Sequence, residues 1–493
     1  MNQLLNAMQE VNNMKLTENG GLAFGSTMDG LQDLFALGGA YRSRTDEDCV
    51  HLFLKALDED ETYAIKCLFY LRDVRGGAGE RRFFKVVLRW LARNRPELVR
   101  RNLEYIPEYG RWDDFYCLVD TPLEGEMFAL MKHQLALDVQ CKTPSLLAKW
   151  LKSQNTSSKE SRYLARKTQQ AFGMTAKEYR KTLSTLRERI RVLERLMSLG
   201  RFDEIEFDKI PSQAGLRYRN AFARRDILRA RYESFAKDKI TKVNADSLNP
   251  CDVVHQAIRC DGDMEDTERL MINKYWDNLK DYFHDAIFNG VAVVDTSGSM
   301  TWSASGGINP IDVAISLGMY CAEKCNPASP WYGNYITFSH KARLVPIVGV
   351  DFVDKVKRIV EANLCEDTNI ESVFDLILKL AIKNKVSQSE MPKNIVIISD
   401  QEFNEATEGL SEDCLESVME KCMRKWQAAG YESPHLVFWN VEARNDTFAM
   451  RDNGNVSFIS GYSAVGFEML MSGKKGIDLI KEKLDSERYK VIK

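Results

Sequence analysis

No stretch of the chain approaches about 18 consecutive apolar residues, so no membrane-spanning helix and no membrane partner are expected. The opening residues, MNQLLNAMQEVNN, lack a basic region followed by an apolar run, which argues against a secretory signal. None of the 11 cysteines is paired in a CxxC spacing. Cys321 and Cys325 lie four apart without a second ligand pair, and the 6 histidines are dispersed. These absences exclude a zinc framework and point to reduced thiols in a cytoplasmic protein. Arg75–Arg82 reads RGGAGERR but lacks the GK[ST] ending of a phosphate loop and follows a helix rather than a strand. It reads instead as a helix C-cap and turn, with glycines supplying positive φ. Arg72, Arg75 and Arg81 stay available for phosphate or for local acids. Without a nucleotide loop, a second metal constellation or a placed His or Cys nucleophile, an enzyme is not expected.

What the chain does contain divides it in two. Its 493 residues exceed one typical domain, and 44% hydrophobic with 28% charged residues supports sizeable cores. Residues 1–288 read as helical. Residues 1–47 look like an entry segment broken by glycines. Beyond it, helices of about 10 to 20 residues follow one another with short connections, as in a stack of helix pairs. No fixed-period repeat is present, and no pattern decides whether the stack closes into a ring. Gly110–Asp114 is expected to be a turn whose acids cap the helix carrying Phe115, Cys117 and Leu118.

Net charge is only −3, yet Ser145–Ile240 holds 23 Lys and Arg against 11 Asp and Glu, a local +12. Such asymmetry points to a polyanionic partner. Thr175 and Glu178 form a capping box. Behind it Tyr179, Leu183, Leu186, Ile190, Leu193 and Met197 make one apolar stripe, predicting one helix. Arg180, Arg187, Arg191 and Arg195 fall on a second stripe about 115° round. Lys149, Lys152, Arg162, Arg166 and Lys167 precede it, and Arg217, Arg219, Arg224 and Arg225 follow. Trp150, Tyr163, Tyr218 and Phe222 are interleaved. Guanidinium for phosphate and aromatic faces for bases suit single-stranded nucleic acid. The same composition also suits a solvated helical face laced with i,i+4 ion pairs.

From residue 289 to 493 strands and helices alternate, predicting a doubly wound α/β sheet. Strands are expected at Val291–Asp295, Asn334–Phe338, Arg343–Ile347, Asn394–Ser399, His435–Asn440 and Val456–Ser460. Helices are expected near Ile311–Lys324, Asp351–Glu361, Ile370–Lys383, Cys414–Ala429 and Gly476–Lys483. The first strand runs into Asp295-Thr-Ser297-Gly-Ser299, and a second ends at Asp400. Thr368 sits at a helix N-terminus. Ligands of open parallel sheets bind beyond the carboxyl ends of the strands. Two carboxylates and three hydroxyls there form an oxygen-only set suited to a hard divalent cation, best Mg2+.

This set resembles the von Willebrand factor A domain with its metal-ion-dependent adhesion site. DxSxS falls on Asp295, Ser297 and Ser299, the loop threonine on Thr368 and the last aspartate on Asp400. The resemblance implies a bound divalent cation, with a partner's carboxylate completing its shell. Asp367 and Gln401 stand where glycine is common in that domain, which affects loop mobility without removing a ligand.

FYLRDVRGGAGERRFF (69–84), YGRWDDF (109–115), EYRKTLSTLRERIRVLERLM (178–197), IPSQAGLRYRNAFARRD (210–226) and VFWN (437–440) extend the likeness. Together they resemble the Ro autoantigen ribonucleoprotein family, and more so its viral, fungal, plant and bacterial relatives. That resemblance implies a HEAT-like helical-repeat ring or arch (1–288) followed by a von Willebrand factor A-like domain (289–493). It also implies binding of small non-coding or misfolded RNA by a monomer. The alternative is a metal-dependent protein-interaction module, without RNA function, that recognises an acidic protein ligand.

Overall fold

The computed structural model describes Met8 and residues 12–259, 264–303, 307–362, 368–404 and 417–493. The chain has a helix-rich first region and a mixed sheet-and-helix second region. The second region is built on six strands: β3 (Gly290–Asp295), β4 (Asn334–Phe338), β5 (Arg343–Pro346), β6 (Asn394–Ser399), β7 (His435–Asn440) and β8 (Val456–Ser460). They run in the order β5-β4-β3-β6-β7-β8. All neighbours are parallel except β5, which pairs antiparallel with β4 at one edge. The central strands are buried end to end, as continuous apolar runs require when both sheet faces are covered. The order reverses between β3 and β6, so the carboxyl ends of these two strands, Asp295 and Asp400, open onto one crevice.

The segment before residue 47 departs from the expected loop. Two short strands, β1 (Met14–Leu16) and β2 (Leu22–Phe24), form an antiparallel hairpin. A helix over Gly30–Gly38 follows, N-capped by Asp29 and buried along its whole length. The glycines there allow close approach instead of breaking the element. A Cβ on Gly39 would stand 2.8 Å from the Ser460 carbonyl oxygen, so only glycine lets this helix end meet β8. The Gly39 amide donates to Ser460 Oγ (3.0 Å), and that hydroxyl donates to the Phe35 carbonyl (2.6 Å).

This seam anchors the start of the helical run on the sheet region. The C-terminal residues reinforce it. Arg488 and Tyr489 both bond Asp73, Tyr489 stacks on Tyr109, and the Lys493 amide donates to Asn102 (2.8 Å). The other end of the run is anchored on the same region. Trp276 stacks on Phe352 at 4.3 Å, Arg269 forks onto Asp351 (2.7 Å) and His255 meets Asp312 (3.0 Å). With both ends fixed to one body, the helices between them border a half-open cavity.

Inside the run, RGGAGERR is a turn as expected. Gly79 has positive φ, and the Ala78 and Glu80 amides return to the Tyr70 and Leu71 carbonyls. The acids of Gly110–Asp114 do more than cap. Asp114 is fully buried and pairs with Arg72 (2.7 Å) and Lys85 (3.2 Å), tying three segments together. The helix expected across 176–197 is broken. It ends at Arg189, Arg191 turns left-handed at φ 49°, and a short helix resumes at Leu193–Ser198. In the second region, the helix expected from Cys414 is seen over Val418–Ala428; its start lies outside the described residues.

His435, buried in β7, lies between Asn394 Oδ1 (3.0 Å) and Ser457 Oγ (2.8 Å). Burial, and then the charge of Lys475, pushes its pKa from 6.5 down to about 4. The folded state therefore holds His435 neutral where the unfolded chain takes a proton. Its contribution, on the order of 3 kcal/mol, is complete above pH 6.5 and is lost as pH falls towards 4. Urea unfolding should show a decline across that window that is shallower in His435→Gln.

Candidate nucleic-acid interface and metal centre

The space bordered by the helices is a cavity of about 1700 Å³. Its wall draws on segments from Arg72 to Phe115, from Leu130 to Trp150, from Arg187 to Tyr218 and from Asp246 to Asn249, and it includes Tyr282 and Ser463. Eight Lys and Arg face five Asp and Glu across it, so a chain whose total charge is negative has a positive interior opening. Trp112, Trp150 and Tyr218 supply aromatic faces. The Arg111 guanidinium lies 4.3 Å over the Trp150 ring. Burial, and then the nearby Arg81 and Arg72, lowers the pKa of Arg111 despite the pull of Asp113. A cation crowded in this way favours an added anion.

Of the thirteen basic residues named from the sequence, four line this cavity: Lys149, Arg187, Arg195 and Arg217. Arg187 is committed to the fold. Its guanidinium donates to the Ala148 and Leu151 carbonyls (2.8 Å each) and to Ser153 Oγ (2.9 Å). Arg195 pairs with Glu188 (2.9 Å), while Arg217 is exposed and no ion partner is recorded for it among the described residues.

The other nine lie elsewhere, Arg219 among them, buried against Glu268 (3.0 Å). Lys167 is held by Asp120 and Glu124, Arg191 by Glu206, Arg162 by the Thr156 carbonyl and Arg180 by Gln154. Lys152 lies over Tyr116 and Arg225 over Phe202, and Arg166 and Arg224 are exposed. The predicted arginine stripe therefore does not exist as one row. The break at Arg191 turns its members apart, and neighbouring acids and carbonyls claim them. The sequence reading kept Arg75 and Arg81 in view but missed Arg111 and His133. Both sit in segments read as turn or helix, where nothing in the local pattern marks the wall of a cavity.

At the β3 and β6 ends the metal candidates come together. Asp295 is fully buried, accepts from the Ser297 amide (2.9 Å) and from Ser399 Oγ (2.6 Å), and faces the charge of Asp400. Ser297 Oγ and Ser299 Oγ lie 3.1 Å apart. The Thr368 carbonyl accepts from the Asn404 amide (3.1 Å), placing the threonine loop beside the β6 loop. Asp367 lies outside the described residues. Burial, reinforced by Asp400, raises the pKa of Asp295 to about 7, and burial raises that of Asp400.

Sequence reasoning missed two groups around this set, Arg444 and Glu402. Arg444 donates to Asp400 (2.5 Å) and to the Ser299 carbonyl (2.8 Å). Glu402 is fully buried two residues beyond Asp400. Gln401 is buried at φ 67° with neither end of its amide partnered among the described residues, which shows why glycine suits that position. Crowded buried carboxylates, clustered hydroxyls and an orphaned amide fit a divalent cation. Among the described residues no group of three or more His, Cys, Asp or Glu is placed to hold a metal, so the candidate depends on its hydroxyls.

Comparison with known proteins places this geometry in a family. Residues 17–178 and 136–286 match the family described as Domain of unknown function (DUF2828), and residues 289–491 match Domain of unknown function (DUF7788). The chain belongs to the family that carries the first of these, which spans more than half its length. It is 31% identical to "Uncharacterized protein L728" of Acanthamoeba polyphaga mimivirus, over 94% of this chain and 85% of that one. The solved structure of the RO (RSR) protein of Deinococcus radiodurans is similar at a TM-score of 0.37 and 13% identity, covering 90% of this chain and 99% of that one.

The two arginine types separate experimentally. Arg187→Ala should cost about 2–3 kcal/mol in urea unfolding, because charged donors leave three acceptors. Arg217→Ala should stay within about 0.5 kcal/mol of the parent.

Proposed function

We propose that the chain is an RNA-binding ribonucleoprotein component that takes a single-stranded segment of a small or misfolded RNA into its central cavity. The observation that carries this reading is the half-open cavity with a basic excess and aromatic faces. Phosphates would meet Arg75, Arg111 and Arg217, and bases would stack on Trp112, Trp150 or Tyr218. The likeness to the Ro family, carried by the quoted sequence stretches, supports the same reading.

The second region would contribute a metal-dependent contact. Ser297, Ser299 and Thr368 would hold Mg2+ through hydroxyls, with Asp295 and Asp400 supplying the charge. A bound cation there would offer an open position to a carboxylate. The oxygen-only donor set and the two buried carboxylates, of which only Asp400 is met by a guanidinium, support this role.

Fluorescence anisotropy with a labelled single-stranded RNA tests the first part. Affinity should fall steeply with salt, and an Arg75→Glu/Arg217→Glu variant should bind at least about tenfold more weakly with a shallower salt slope. An affinity unmoved by salt and by the variant would leave the metal-dependent interaction module as the function. Thermal unfolding tests the second part. Mg2+ at about a hundredfold over its Kd should stabilise the protein by about 2.7 kcal/mol, and Asp295→Ala should abolish that gain.

A further inference from the structure

The crevice at the β3 and β6 ends is not open to solvent on all sides. The turn of the β1–β2 hairpin, Thr17–Gly21, lies on it, brought from the far end of the sequence. Thr17 Oγ1 donates to the Phe403 carbonyl (2.5 Å), and the Glu18 amide donates to the buried Glu402 carboxylate (2.8 Å). Gly20 forms an isolated antiparallel bridge with Asn404. A Cβ on Gly21 would stand 2.6 Å from the Phe403 carbonyl oxygen, so the turn is seated without spare room.

Two side chains of this turn reach the candidate ligands. Asn19 Nδ2 donates to Thr368 Oγ1 (3.3 Å) and to the Glu402 carbonyl (2.5 Å). The Glu18 carboxylate accepts from Asn445 Nδ2 (3.1 Å) and lies 3.4 Å from Arg444 Nη1. The other terminal nitrogen of that guanidinium is on Asp400. A single guanidinium therefore separates Glu18 from Asp400. Glu18 and Asp400 share this one guanidinium, and Glu402 and Asp295 lie buried close by. Low-dielectric surroundings make that imbalance costly until more positive charge arrives.

We propose that the hairpin turn is the metal site's built-in ligand arm. Glu18 supplies, from within the chain, the carboxylate that completes the cation's shell, and Asn19 orients the Thr368 hydroxyl. The inference rests on the metal reading above and deepens it. The site then serves first to clasp the start of the helical region to the sheet region. An outside acidic partner has to displace Glu18 to bind. Arg444 holds the gap between Glu18 and Asp400 and yields it to the divalent ion, whose charge is higher and whose radius is smaller.

The test pairs calorimetric Mg2+ titration of the full chain with amide hydrogen exchange over residues 14–24. Wild type, Glu18→Gln and Asp295→Ala are compared. In the wild type Mg2+ should slow exchange of the Thr17–Gly21 amides about tenfold or more. Glu18→Gln should lose that protection and bind Mg2+ about tenfold more weakly, since one charged ligand has gone. Asp295→Ala should show neither binding nor protection. Equal Mg2+ affinity in wild type and Glu18→Gln, with exchange in the turn unchanged or faster, overturns the ligand arm and leaves the metal site standing. No Mg2+ binding by the wild type removes the metal site, and the ligand arm with it. Glu18 is half-exposed in a turn, so its amide variant keeps the fold and any change reads on the site.

Discussion

Everything in this molecule depends on the helical run being tied to the sheet region at both ends. At one end the Gly30–Gly38 helix meets β8 at Ser460, where a missing Cβ permits contact between backbones. At the other, Trp276 lies flat on Phe352. Fixing two ends that are far apart in sequence is entropically costly, but the cost grows only slowly with the length of the loop closed. The buried aromatic contacts and the ion pairs of Asp73 and Asp351 offset it. The middle helices, held between these two anchored ends, line the half-open cavity.

Within that frame the arginines divide by what competes for them. A guanidinium carries five donors, and a nearby carbonyl or carboxylate will take it before any distant ligand does. Arg187 went to backbone carbonyls, Arg191 to Glu206 and Arg72 to Asp114, each through a short charged contact. Arg81 went to Asp113 and Arg75 leans on Glu108, whereas the exposed Arg217 keeps its donors for the cavity. A basic segment is thus a poor guide to a basic surface, because the fold spends part of the charge on itself.

The strand-end crevice shows the converse. Here negative charge is in excess, and the chain has only partly balanced it with Arg444. The hairpin on this crevice belongs to the same segment that leads into the Gly30–Gly38 helix. Its next contact is a two-way amide–carbonyl exchange between Phe24 and Phe448. The segment that closes the helical run is therefore also the one that covers the crevice. Crevice, hairpin and the anchored start of the helical run form one mechanical unit in this arrangement.

The six strands of the second region were legible in the sequence nearly to the residue. Buried parallel strands read as near-continuous apolar runs, clearest in VAVVD and NIVIIS. The ends of two of those runs, at Asp295 and Asp400, followed directly, because a parallel sheet exposes its ligands there. The helical character of the first region was legible for a similar reason. The break at Arg191 was not, since the apolar stripe continues across it and only packing against the Glu204–Glu206 segment turns the chain. Nor was the role of Glu18, Arg444 or Arg111. Each acts through a neighbour that lies remote in sequence, and no local pattern records such a pairing. Local periodicity and strand composition were determined by the sequence alone. Which charges face each other, and what they enclose, was decided only when the two ends of the helical run came to rest on the same sheet.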